Sequence, residues 1–227
     1  MIENQNLVFF NVDTQQDFFD PNMIDIPSGE SIHTNLEKIT KLSQEKNIKV
    51  VSSIGWFDEG SKFFSEMPDY QKTFPPHCIK NTKGARFINQ TAPKRYFLLD
   101  WEEGNLVLPE IHNNQHIVIT KKEKDIFKGN TYFESIVHNL GIPFMARPNF
   151  VLYGVDVGPT ALGLLRRGYS VSIVIDANIN VDGQKFKKEN IIVKQTNGDT
   201  DVKPKEILDL NFITTEDILK LWKKKMV

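Results

Sequence analysis

An α/β fold with a doubly wound, mainly parallel sheet is what this chain predicts, and three observations carry that expectation. Short, bulky, uncharged runs without clean alternation recur along it, the pattern of strands covered on both faces. Amphipathic segments of helical period fall between the runs, and a strand–helix–strand crossover of that kind implies a parallel pair. The 227 residues are enough for one large domain with a substantial core, so 1–227 is expected to form a single domain.

The elements follow in order. Leu7 to Val12 is a buried strand that runs directly into Asp13-Thr14-Gln15-Gln16-Asp17-Phe18. Ligands in open α/β sheets bind outside the carboxyl ends of the strands, which is where Asp13 stands. On the strand alone Asp13 also reads as a turn or cap residue, the commoner role. Asp20-Pro21-Asn22 is a turn, and Ser31 to Lys46 an amphipathic helix with Ile32, Leu36, Ile39 and Leu42 on one face. Ile48 to Ile54 is a second buried strand. From 55 to 95 the chain is a loop-rich insertion with Trp56, Phe57, Phe63, Phe64, Tyr70 and Phe74. Such an insertion lines a pocket or packs over the sheet edge. Tyr96 to Leu99 and Ile117 to Thr120 read as strands, the latter ending in Lys121-Lys122. Phe133 to Leu140 reads as a helix stopped by Gly141 and Pro143. Phe150 to Val155 is a strand, and Thr160 to Arg167 a helix with Pro159 in its first turn and Gly168 at its end. Ser170 to Ile175 is a strand, Asn180 to Asp201 is polar and irregular, and Phe212-Ile213 is a last short strand. Thr214 or Thr215 then caps a helix over Glu216 to Lys224.

Composition narrows the function classes. A net charge of −1 with both signs dispersed points to no nucleic-acid partner. The basic C-terminal stretch Lys220 to Lys225 complements a helix dipole. One cysteine, Cys78, excludes an internal disulfide and suits a reducing compartment. The polar start shows no signal peptide, and no apolar run nears the ~20 residues needed to cross a bilayer. A cytoplasmic protein is expected. The first strand lacks a Gly-rich phosphate fingerprint, which argues against a dinucleotide site.

Several stretches together resemble the nicotinamidase/isochorismatase family of cysteine hydrolases, in its nicotinamidase-related branch. Asp13-Thr14-Gln15-Gln16-Asp17-Phe18 resembles the opening D-x-Q-x-D-F. Phe74 to Ala85 resembles the P-x-H-C-x-x-x-T-x-G-A loop. Lys121 to Phe127 resembles K-x5-F. Tyr153-Gly154-Val155, Thr160 to Tyr169 and Asp176-Ala177 resemble the strand, nucleophile helix and D-A landmark. The order and spacing of these motifs carry the resemblance, over about Val8 to Ala177. It implies a three-layer α/β/α arrangement with a parallel sheet of about six strands. It implies a cysteine thiolate attacking an amide carbonyl, with an aspartate moving the proton and a lysine polarising the pair. It also implies a metal held by D-x-H after the second strand and by the histidine of the H-C loop, and self-association into a homo-oligomer.

The sequence departs from that pattern where the chemistry sits. Counting back from Gly168, Asp156 occupies the cysteine's place, and about four residues of the preceding loop are missing, which removes oxyanion-hole donors. D-W-H reads Gly55-Trp56-Phe57, so His77 alone of three metal ligands persists. No bound metal or cofactor is therefore expected. Asp13 and Lys121 persist, as catalytic remnants or as a structural ion pair.

The leading expectation is a catalytically degenerate hydrolase-fold protein. It would retain a pocket for a small aromatic or amide ligand, lined by Phe18, Trp56, Phe57, Phe64 and His77. The alternative is an active amidohydrolase on a C–N bond of a small amide, using Asp13 and Lys121 with Asp156 or another non-cysteine nucleophile. Cys78 and Thr160 rank below Asp156 for that role, as a buried apolar residue and a capping or packing residue.

Overall fold

The computed structural model describes residues 6–24, 26–70, 72–102, 116–138, 140, 148–184 and 209–223. Seven strands lie within them: β1 Leu7–Val12, β2 Lys49–Gly55, β3 Tyr96–Leu99, β4 His116–Lys121, β5 Asn149–Val155, β6 Ser170–Ile179 and β7 Leu210–Ile213. The helices are α1 His33–Glu45, α2 Ile126–Gly129, α3 Phe133–His138, α4 Val157–Arg166 and α5 Thr215–Lys223.

The strands form one sheet in the order β3-β4-β2-β1-β5-β6-β7, and every neighbouring pair is parallel. The sheet has seven strands rather than about six, because both four-residue edge strands, β3 and β7, pair. The chain builds outward from β1 through β2 and β4 on one side, then through β5, β6 and β7 on the other. The switch in direction lies between β1 and β5, the place where open α/β sheets leave a crevice for ligands.

Alternation along β1 sorts its side chains between two cores. Val8, Phe10 and Val12 join Ile126, Phe133, Ile136, Ala161 and Leu164, from the layer of α2, α3 and α4. Leu7 and Phe9 join Leu36, Ile39 and Leu42 of α1 and Ile218 of α5. All six β1 residues are buried, as expected of a central strand between two helical layers.

Some boundaries differ from the sequence reading for local reasons. A 3-10 turn, Gly29–Ile32, precedes α1, which then starts at His33. Helix α4 begins at Val157, three residues early, because Asp156 takes a left-handed conformation and turns the chain directly into the helix. Strand β6 continues to Ile179 past the D-A landmark, with a shift of register against β5 between Leu152 and Gly154. Thr214 caps α5: its hydroxyl accepts from Asp217 N, and the Asp217 carboxylate accepts from Thr214 N and Oγ1. Helix α2 was not expected; Asp125 caps it by accepting from Phe127 N. The irregular segment expected over Asn180 to Asp201 lies outside the described residues after 184.

Candidate functional site

Asp13 leaves β1 with φ +48°, a left-handed conformation that Asp and Asn tolerate better than most side chains. That turn aims its carboxylate across the end of β2. There Oδ1 accepts from Ser53 Oγ at 2.7 Å, and Oδ2 lies 2.6 Å from Lys121 Nζ. Lys121 ends β4, two strands away, and in the register it stands beside Gly55. A Cβ on that glycine would fall 2.9 Å from the Phe57 ring and 3.5 Å from Gln15 Oε1. Both residues are buried, at 7% and 4% exposure, so the pair is shielded from solvent screening. Lys121 Nζ also donates to the Lys124 carbonyl at 3.2 Å.

Gln15 fixes the loops around this pair. Its amide donates to the Gly55 and Ala85 carbonyls, and its oxygen accepts from Gly55 N. Asp17 accepts from Cys78 N at 2.6 Å. A Cβ at Gly84 would fall 1.9 Å from the Asp17 carboxylate, so a glycine is required there.

A cavity of about 590 Å³ opens over the strand ends, within the range of small-molecule sites. Asp13, Lys121 and Asp156 all line it, with Phe18, Phe57, Phe63, Phe74 and His77 as an aromatic wall. The His77 ring is the hub of that wall. Phe18, Phe57, Phe64 and Phe74 stand around it at centroid distances of 5.4 to 5.9 Å. His77 Nδ1 lies 2.9 Å from the Pro75 carbonyl. Burial pushes its pKa below the ordinary imidazole value, against opposing pulls from that carbonyl and from Asp17 and Asp13.

Asp156 follows β5 at φ +49°. Its backbone N donates to the Ile179 carbonyl, and its Oδ1 accepts from Val181 N at 3.0 Å. Oδ2 lies 3.5 Å from Lys124 Nζ, and that ammonium also stands 4.8 Å from the centre of the Phe74 ring.

The structure thus brings Asp13, Lys121, Asp156, Phe18, Phe57 and His77 to one cavity. Two expected pocket residues lie elsewhere. Trp56 does not line the cavity: it sits between Gly55 and Phe57, and successive side chains of extended backbone point to opposite sides. Phe64 stands behind the wall, edge-on to Phe57 and close to His77. Cys78 is fully buried at φ +49°, and burial, then Asp17 and Asp13, push its thiol well above the ordinary value. Thr160 is buried in α4, and its Oγ1 has no hydrogen-bond partner. Residues not anticipated as site members also line the cavity, notably Lys62, Lys72, Lys124 and Lys128. The lysines at 121, 122, 124 and 128 were the signal for part of this set.

The residues present do not fit the metal centre that the resemblance implies. Gly55 and Phe57 supply no ligand atom at the D-x-H positions, and the remaining imidazole is enclosed by phenyl rings. Among the described residues no three His, Cys, Asp or Glu side chains gather as a metal site. Among them, too, no helix is long and apolar enough to cross a membrane.

No protein-family model matches the chain, and no curated protein matches it by sequence. Solved structures do match in fold. The pyrazinamidase of Pyrococcus horikoshii, crystallised with zinc, is 21% identical; the match covers 92% of this chain and 99% of that one, with a TM-score of 0.59. PnC1 of L. infantum, crystallised with nicotinate, is 18% identical over 95% of this chain and 96% of its own, with a TM-score of 0.64. An isochorismatase-like hydrolase from Alkaliphilus metalliredigens is 17% identical over 96% and 99%, with a TM-score of 0.61. With its parallel sheet, its two helical layers and its cavity at the strand ends, the chain has the fold of the nicotinamidase and isochorismatase-like hydrolases.

Proposed function

We propose that this protein is a catalytically degenerate member of that hydrolase group which binds a small aromatic or amide compound in the cavity over β1 and β5. One observation carries the reading: Asp156 lines the cavity where the family pattern places its cysteine, and the described lining holds no thiol. Of that lining, the Thr73 hydroxyl is tied to Asp69; Cys78 lies outside it, its thiol buried and disfavoured as a thiolate. A thiolate, not a thiol, is the nucleophile in this chemistry. Without it, Asp13 and Lys121 have no proton to relay, and their contact serves the folded state. The phenyl wall with a neutral His77 suits a flat apolar ring, and the lysines at the rim suit its polar substituent.

A second reading keeps amide hydrolysis, with Asp156 as the carboxylate nucleophile or base. It draws on the left-handed backbone at Asp156, since strain of this kind clusters at active sites. Against it stand the two partners that already hold the carboxylate, Val181 N and Lys124. The proposal extends to self-association and a cytoplasmic location, checked by light scattering and by fractionation.

The test is an assay of the purified protein on nicotinamide and a panel of small amides, with and without zinc, manganese or iron, beside a thermal-shift screen of the same compounds. The expected result is no turnover above background and a raised unfolding temperature with at least one panel member. Turnover that disappears in Asp13→Ala and Asp156→Asn but survives in Cys78→Ala would replace this reading with the second one.

A further inference from the structure

A second cavity, of about 370 Å³, opens on the α1 side of the sheet, between the C-terminal half of α1 and residues 91–95. Its floor is built by Asn11 of β1, Val50 of β2 and Tyr153 of β5. Asn11 is the unusual member. It is 1% exposed, and polar groups buried to that degree are nearly always hydrogen-bonded. Its Oδ1 accepts from Thr14 Oγ1 at 3.0 Å, and that hydroxyl also lies 2.7 Å from Thr91 Oγ1. The amide nitrogen, in contrast, has no partner. The acceptor is spoken for and the donor is left over.

The charge of this cavity is one-sided. No carboxylate is among its lining residues, whereas Lys94 and Arg95 are, and both are exposed. The cavity over the strand ends mixes lysines with Asp13, Glu123, Asp125 and Asp156. A buried donor at one end and cations on the exposed segment define a ligand with an acceptor oxygen and an anionic group. The volume lies near the lower end of the roughly 300–1,000 Å³ range of ligand pockets, which suits a small molecule.

We propose that this cavity is a second ligand site, taking a small organic anion whose carbonyl or hydroxyl oxygen meets Asn11 Nδ2 and whose carboxylate or phosphate meets Lys94 and Arg95. The inference is independent of what the other cavity binds.

Calorimetric titration of the full chain with glycerol 3-phosphate and with glycerate tests it, with glycerol and inorganic phosphate as controls. One of the two organic anions is expected to bind in the millimolar range or tighter, and which one separates phosphate from carboxylate recognition. The double variant Lys94→Glu, Arg95→Glu, altered only at exposed side chains, is expected to lose about tenfold or more in affinity, as removal of charge-assisted hydrogen bonds does. In an NMR titration the Asn11 side-chain amide signals are expected to shift with the organic anion and not with inorganic phosphate. Absence of binding by both anions, affinity unchanged in the double variant, or equal response to inorganic phosphate would each overturn the proposal, the last by showing a general anion patch.

Discussion

Two aspartates leave the sheet on either side of its switch point in nearly the same way. Asp13 follows β1 at φ +48° and Asp156 follows β5 at φ +49°, and each meets a lysine. Their surroundings differ. The Asp13–Lys121 contact is 2.6 Å long, with side-chain exposures of 9% and 5%; the Asp156–Lys124 contact is 3.5 Å long, with exposures of 18% and 52%. The first is closed and desolvated, so each charge depends on the other. The second is held loosely beside a cavity, in water that screens it. The first pair is closed off from solvent, whereas the second opens onto the cavity.

Gly154 ties the two strand ends together. Its φ is +113°, and a Cβ there would fall 2.1 Å from the Val12 carbonyl oxygen. Neither backbone can yield without disturbing Asp13 on one side and Asp156 on the other. Gly154→Ala is therefore expected to have the largest effect, a loss above about 4 kcal/mol or no folded protein, read by urea denaturation and near-ultraviolet circular dichroism. A variant within about 1 kcal/mol of the parent would show that the strand ends adjust independently.

Lys121→Met comes next. It leaves the Asp13 carboxylate buried without its cation, which costs about 3–5 kcal/mol. Adding Asp13→Asn is expected to recover most of that loss, since Asn accepts the left-handed backbone and can still bond to Ser53. Equilibrium denaturation of the single and double variants measures both. A single-variant loss below about 1 kcal/mol would make the pair no different from a surface one.

The acid response separates the carboxylates from two histidines, the buried His77 and the half-buried His116. Burial brings the pKa of His116 down to about 4 and lowers that of His77. Both are neutral in the folded state at pH values where the unfolded chain, with imidazoles near 6.5, has begun to bind protons. Stability is thus fully present above about pH 6.5 and falls as the pH drops below it, by about 1.4 kcal/mol per pH unit for each histidine that stays neutral. For His116 the window closes near pH 4. His116→Gln is expected to flatten the stability–pH curve between pH 6.5 and 4, and an unchanged slope would place acid sensitivity in the carboxylates.

The closed pair was legible in the sequence and the open one only in part. Asp13 and Lys121 each follow a buried run, and residues ending parallel strands share one edge of the sheet. Asp156 was placed by counting back from Gly168. Lys124 was missed because it precedes α2, a four-residue helix too short to show a period; the Asp125 cap was its one local sign. Trp56 and Phe57 could not be told apart by composition, since the direction of a side chain in extended backbone depends on register. Phe64 is aromatic like its neighbours, but a wall two rings deep looks the same in sequence as a wall one ring deep. Asn11 gave no signal, because an unpaired amide is a property of packing around a strand residue.

The smallest effect is expected at Lys124, and it tests the comparison most finely. Lys124→Ala removes an ammonium that is half exposed, 3.5 Å from Asp156 and stacked on Phe74. Exposed pairs contribute about 0.2–1 kcal/mol, and salt weakens them further. Asp156 does not lose its footing, because Val181 N still donates to it. A double-mutant cycle with Asp156→Asn is thus expected to give a coupling below about 1 kcal/mol at low salt, shrinking further at high salt. Coupling of about 3 kcal/mol or more that is insensitive to salt would mean the second pair is as desolvated as the first. In that case both lysine–aspartate contacts are structural, and the polar end of a ligand must be met instead by Lys62, Lys72 or Lys128 on the same cavity.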